Sequence, residues 1–170
     1  MTHAPFVGTW RLVSCIWEGP DGRITYPYGR SPVGYLIYTD DGYMAVNFMS
    51  SGRHRFASEQ RFEATGQEER RARKTYQSYS GRYEVRGDRM IHHVEVSLFP
   101  NWVGRDQERI YRLEGDRLCL STDPLPFGNS HQIARLEWER VSTPQAAPVE
   151  EWAVPAGSGG MDGTAQTHDS

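Results

Sequence analysis

His92 and Arg109 are the residues whose types and positions could do chemistry. Met90, His92, Val94 and Val96 alternate with His93, Glu95 and Ser97. Gln107, Arg109, Tyr111 and Leu113 alternate with Glu108 and Arg112. Strict alternation marks a strand with one buried face, so both side chains point inward. An inward imidazole can move a proton or hydrogen-bond a ligand; it can also be a core histidine satisfied by Tyr83. An inward guanidinium needs a partner. That partner is a carboxylate, phenolate or enolate on a ligand, or a group of the protein. Asn101 and Trp102 follow Pro100 on a loop, where an amphipathic indole suits a binding rim or simply packs the loop. Tyr35, Phe48, Tyr83 and Tyr111 are expected to line the same interior as ligand-binding residues.

Other chemistries leave no trace. The chain has no serine nucleophile elbow, phosphate loop or dinucleotide fingerprint, so no cofactor is expected. His54, His92, His93 and His131 do not share a zinc spacing, and His92 and His93 face opposite ways, so no metal is expected. Cys15 and Cys119 are too few for a disulfide scaffold. Both are expected on the outer face.

The elements that must position these residues are strands. They are expected at 8–17, 33–39, 43–49, 81–86, 89–98, 105–113, 116–122 and 131–141, each rich in Val, Ile, Tyr, Trp or Leu. Asp41-Gly42, Gly87-Asp88 and Gly115-Asp116 read as two-residue turns. Such turns fix register, and register fixes faces. They pair Asp40 with Tyr43, Arg86 with Arg89 and Leu113 with Leu118. The inner face then collects Trp10, Leu12, Ser14, Ile16, Tyr35, Ile37, Phe48, Val96, Leu98 and Trp138, besides the residues above. One helix is expected after the third strand. Thr65 and Glu68 fit a capping box, with Ala72, Tyr76 and Tyr79 on one helical face. Every long connection falls at one end and every tight turn at the other. The expected fold is all-β: an eight-stranded antiparallel up-and-down barrel with one short helix at its mouth.

Composition sets the boundaries. One domain is expected over 1–143, with a disordered tail over 144–170 rich in Ala, Pro, Gly, Ser and Thr. That tail carries four acidic residues and no Lys or Arg, leaving 19 basic against 18 acidic residues before it. So near-neutral a body argues against a nucleic-acid or membrane partner. The N-terminus lacks the basic and apolar regions of a signal peptide, and no stretch is long and apolar enough to span a bilayer. A cytoplasmic monomer or homodimer is expected.

Gly8-Thr9-Trp10 resembles the Gly-x-Trp signature of lipocalins. In that family the Trp closes the barrel floor, and an Arg near the end of the last strand packs over it. Arg140 stands at the matching place, so the resemblance makes Trp10 and Arg140 the structural floor. A closer resemblance is to the bacterial and fungal lipocalin-like domain proteins. It is carried by Pro32-Val33-Gly34-Tyr35-Leu36-Ile37-Tyr38, Tyr79-Ser80-Gly81-Arg82-Tyr83 and the run from His92 to Gly104, and it extends over about residues 6–141. The resemblance implies the fold. Some proteins of similar fold act as cofactor-free cyclases or isomerases in natural-product pathways. Two functions are therefore expected in competition. One is binding of a small, largely apolar or aromatic molecule. The other is a cofactor-independent isomerase or cyclase acting on a biosynthetic intermediate. There His92 would move a proton and Arg109 would stabilise an oxyanion.

Overall fold

The computed structural model describes residues 4–60 and 62–142. The expected tail lies outside the described residues. The elements run β1 (Gly8–Glu18), β2 (Ile24–Thr25), β3 (Val33–Tyr38), β4 (Tyr43–Met49), α1 (Gly66–Lys74), β5 (Tyr76–Arg86), β6 (Arg89–Ser97), β7 (Asp106–Glu114), β8 (Arg117–Ser121), β9 (Leu125–Phe127) and β10 (Ser130–Arg140). Each long strand pairs antiparallel with its neighbour in the order β1, β3, β4, β5, β6, β7, β8, β10. β10 returns to β1 from Trp10↔Arg140 to Glu18↔Ile133, which closes an eight-stranded barrel. The two short strands β2 and β9 extend β1 and β10 at the open end. Closure leaves no long strand edge unpaired among the described residues. Among them, too, no helix is long and apolar enough to cross a membrane.

Two of the three tight turns set the expected register. Val85 opposes Met90, Tyr83 opposes His92, and Leu113 opposes Leu118. The β3–β4 turn differs by one residue. Tyr38 pairs with Met44 and Leu36 with Val46. The reason lies in Thr39-Asp40-Asp41-Gly42. The Gly42 amide donates to the Thr39 carbonyl, the Thr39 amide donates to the Tyr43 carbonyl, and Gly42 takes φ 89°. Glycine adopts that angle freely, which adds one residue to the turn. A one-residue slip turns every β3 side chain over. Tyr35 and Ile37, expected inside, are exposed at 46% and 39%, while Leu36 and Tyr38 form the core at 0% and 1%.

Two bulges correct the inner face elsewhere. The β1–β10 register shifts between Leu12 and Ser14, so Cys15 opposes Leu136 and Trp17 opposes Ala134. Cys15 and Trp17 therefore turn inward in place of Ser14 and Ile16. Cys15, expected outside, is buried. On β6 a shift opposite Ser80 and Gly81 turns Val96 outward, and it is 65% exposed. Leu98, just beyond the strand, is exposed as well.

The capping box forms as read, with Thr65 Oγ1 accepting from the Glu68 amide and the Glu68 carboxylate accepting from the Thr65 amide. The helix stops at Lys74, however. Tyr76 and Tyr79, expected on its face, belong to β5 and pair with Met49 and Val46. The unpaired backbone of β4 needs a partner over residues 46–49, and that demand overrides the helical pattern.

Candidate functional site

The barrel has a sealed end and an open interior. At the sealed end Arg140 stacks on Trp10, its guanidinium carbon 4.1 Å from the ring centroid. The same guanidinium donates to the carbonyls of Val7 at 2.8 Å and Pro5 at 2.7 Å, and pairs with Asp116 at 3.2 Å. Trp10 donates its indole proton to the Phe6 carbonyl at 2.8 Å. Phe6 in turn stands edge-on to Tyr111 at 4.9 Å. Tyr111 donates to the Gly87 carbonyl and Tyr83 to the Thr39 carbonyl, both turn residues of this end. Tyr83 and Tyr111 are thus part of the plug and do not line the cavity where the sequence reading placed them. Their hydroxyls are held by the turns.

Above the plug lies a cavity of about 160 Å³. Its wall is aromatic and aliphatic, with Trp17, Leu36, Val46, Phe48, Leu136 and Trp138 from four strands. Phe48 stands edge-on to Trp138 at 6.4 Å and to Tyr28 at 4.9 Å. Trp102, half-buried in the single turn Pro100–Trp102, covers one side and meets Tyr79 edge-on at 5.5 Å. Asn101 is exposed and does not reach the cavity; Tyr35 faces away on the outer wall. A larger, open groove of about 570 Å³ crosses the outer wall along Arg82, His93, Glu95 and Asp106. There Arg82 pairs with Glu95 at 3.2 Å and the His93 ring bonds Asp106 at 2.7 Å. The interior cavity is therefore the candidate site.

His92, which is 1% exposed, lines the cavity and bonds two tyrosine hydroxyls. The Tyr38 hydroxyl lies 2.7 Å from Nε2, and the Tyr79 hydroxyl lies 2.9 Å from Nδ1. Tyr83, its cross-strand neighbour, is not the partner. Both imidazole nitrogens are occupied, one as donor and one as acceptor in the neutral ring. Burial, then the charge of Arg109, then His93, push the His92 pKa down to about 3. Burial also raises both tyrosines, Tyr38 well above its ordinary value. His92 stays neutral near pH 7 and cannot take a ligand proton without breaking one of these bonds.

Arg109 is the one charged residue lining the cavity among the described residues. Its guanidinium donates to the Glu108 carbonyl at 2.7 Å and to Gln107 Oε1 at 3.2 Å. Among the described residues it has no carboxylate partner. Its positive charge opposes the rise of the Tyr79 pKa.

The sequence reading missed Tyr38 and Tyr79. Thr39-Asp40-Asp41-Gly42, read as a longer turn, would have turned Tyr38 inward. Continuing β5 back to Tyr76 would have done the same for Tyr79.

Residues 7–141 match the lipocalin-like domain family, from the start of β1 to the end of β10. The chain belongs to that family. It is 34% identical over 107 residues to the 4'-hydroxy-3'-methoxypropiophenone carrier protein ppsC of Aspergillus oryzae (strain ATCC 42149 / RIB 40). That match covers 58% of this chain and 96% of the carrier. Among solved structures the chain is similar to an uncharacterized protein from Bacteroides eggerthii DSM 20697. The TM-score is 0.40 at 11% identity, over 79% of this chain and 98% of that one. A point mutant of the fluorescent protein UnaG follows with a TM-score of 0.33 at 14% identity, over 79% and 95% of the two chains. The family's barrel and a relative named as a carrier support small-molecule binding.

Proposed function

We propose that this protein binds and carries a small aromatic molecule with an acidic or acceptor-bearing ring substituent. The observation that carries this reading is the make-up of the cavity. Among the described residues, an apolar, aromatic-walled space of about 160 Å³ is lined by one cation and no carboxylate. An engineered apolar cavity of roughly 150 Å³ takes one benzene ring, so the size suits a single ring, with Trp102 yielding for its substituents. Apolar burial supplies the affinity, and Arg109 orients the polar end. Carriage of 4'-hydroxy-3'-methoxypropiophenone by the relative fits that description, and we extend the ligand class of phenolic aryl ketones to this chain. The test is calorimetric titration of the full chain with that ketone. Saturable 1:1 binding with a Kd of order micromolar, near −8 kcal/mol, is expected. No binding up to millimolar ketone would refute the reading.

The isomerase or cyclase reading draws on one observation, the chain Tyr38–His92–Tyr79. Tyr79 lines the cavity, and His92 connects its hydroxyl to that of Tyr38. On that reading Tyr79→Phe abolishes turnover of a bound intermediate while leaving its affinity within a few-fold. The commitment of both His92 nitrogens to tyrosines favours binding over proton transfer.

A further inference from the structure

Two polar groups on the cavity wall have donors that nothing described satisfies. The Trp138 indole nitrogen and the Gln77 amide nitrogen are both buried, and neither has a hydrogen-bond partner among the described residues. Trp138 is 1% exposed, and both residues line the cavity. Buried donors in folded proteins are almost always paired, and each orphan carries the desolvation cost of an unmade bond. Two on one small cavity call for a common explanation.

Their placement supplies one. Trp138 stands on β10 and Gln77 on β5, four strands apart around a ring of eight, and both line the interior cavity. Phe48 connects them. It is the register partner of Gln77, and its ring meets Trp138 edge-on at 6.4 Å. An indole N–H donates and cannot accept. Trp138 thus fixes the polarity of this spot, while the Gln77 amide can turn to match. A ligand group held here must offer a lone pair to the indole N–H.

We infer that Trp138 and Gln77 form an acceptor-oxygen subsite that selects a ligand carbonyl, distinct from the cationic end at Arg109. This inference rests on the carrier reading and names the residues that would recognise the ketone oxygen. A cavity that presents donors to a carbonyl rejects the analogue lacking it, because the donors are then left unpaired in an apolar surround. A water molecule bridging the two donors is the competing occupant, and it would remove the preference.

The experiment compares two ligands of nearly the same shape by titration calorimetry on the full chain. One is 4'-hydroxy-3'-methoxypropiophenone, and the other is 2-methoxy-4-propylphenol, in which a methylene replaces the carbonyl. The wild-type protein should favour the ketone by about tenfold or more. Trp138→Phe should reduce the preference below about threefold. Should Trp138→Phe fail to fold, Gln77→Leu should reduce the preference in the same direction. In ¹⁵N-edited spectra of the wild-type chain, one indole N–H resonance should move downfield with the ketone and not with the propylphenol. Equal affinity for both ligands, with no such resonance shift, overturns the subsite and leaves the carrier reading standing. Failure of both ligands to bind overturns the carrier reading and the subsite with it.

Discussion

A buried neutral histidine ties stability to pH, and His92 allows the size of that link to be worked out. In the unfolded chain its imidazole titrates at the ordinary value of 6.5, and in the barrel it titrates at about 3. Between these values the unfolded chain binds a proton that the folded chain does not. Stability is therefore fully present above pH 6.5 and falls as the pH drops toward 3. Each pH unit inside that window costs about 1.4 kcal/mol, so acidification from pH 8 to pH 5 removes about 2 kcal/mol through this one group. Carboxylates with depressed pKa values, such as Glu84, Asp123 and Glu139, add their own losses at lower pH. The window from 7 to 5 therefore isolates the histidine best. The perturbation is His92→Gln, which keeps an amide to bond one tyrosine and has no proton to gain. The assay is urea denaturation at pH 8, 6, 5.5 and 5 for both proteins, read as the difference in slope rather than in absolute stability. Wild type should lose about 2 kcal/mol more than His92→Gln across that range. Equal slopes would mean that His92 is not held neutral by its burial between Tyr38 and Tyr79.

Three further outcomes follow from the same geometry. Arg109→Met should weaken an ionised ligand such as 4-hydroxybenzoate by tenfold or more in titration calorimetry, and a neutral ligand of the same size by under threefold; equal losses would remove the charge from the binding account. Arg140→Met gives up the stacking on Trp10 and two charged hydrogen bonds at the floor; it should cost about 3 kcal/mol in urea denaturation and leave ligand affinity within twofold. Gly34→Ala would place a methyl 2.3 Å from Phe48 Cβ; relief needs β3 to move or Phe48 to be pushed into the cavity, so a loss of about 2 kcal/mol and a weaker ligand are expected together.

The legible part of this fold is the part governed by local rules. Alternation and two-residue turns placed β5 against β6 and β7 against β8 in their true registers, and with them the inward faces of His92 and Arg109. What was not legible depends on backbone count. One extra residue in the turn ending at Gly42 moved Tyr35 out and Tyr38 in. One bulge in β1 moved Cys15 in, and one in β6 moved Val96 out. Side-chain composition barely registers such insertions, because both faces of these strands carry apolar residues: Tyr35 and Ile37 outside, Leu36 and Tyr38 inside. On β7 the two-residue Gly115-Asp116 turn fixed the register. Tyr38 was missed because of the extra turn residue, Tyr79 because the helical pattern was carried past Lys74, and Tyr83 was wrongly given their place.

That replacement explains why a polar chain sits in an otherwise apolar barrel. Tyr38 belongs to the lower layer, packed against Tyr83 at 4.5 Å and Phe6 at 6.5 Å. Tyr79 belongs to the upper layer, facing Trp102 and the cavity. His92 lies between the layers and satisfies both hydroxyls with its two nitrogens, so neither tyrosine hydroxyl goes unpaired at the boundary. The plug below can then be largely aromatic, and the polar edge above faces the ligand space with Tyr79 held in one orientation. A cationic or freely rotating residue at position 92 would break that division. The ring must be neutral and two-sided, which is why the burial of His92 and the cavity above it are one structural fact.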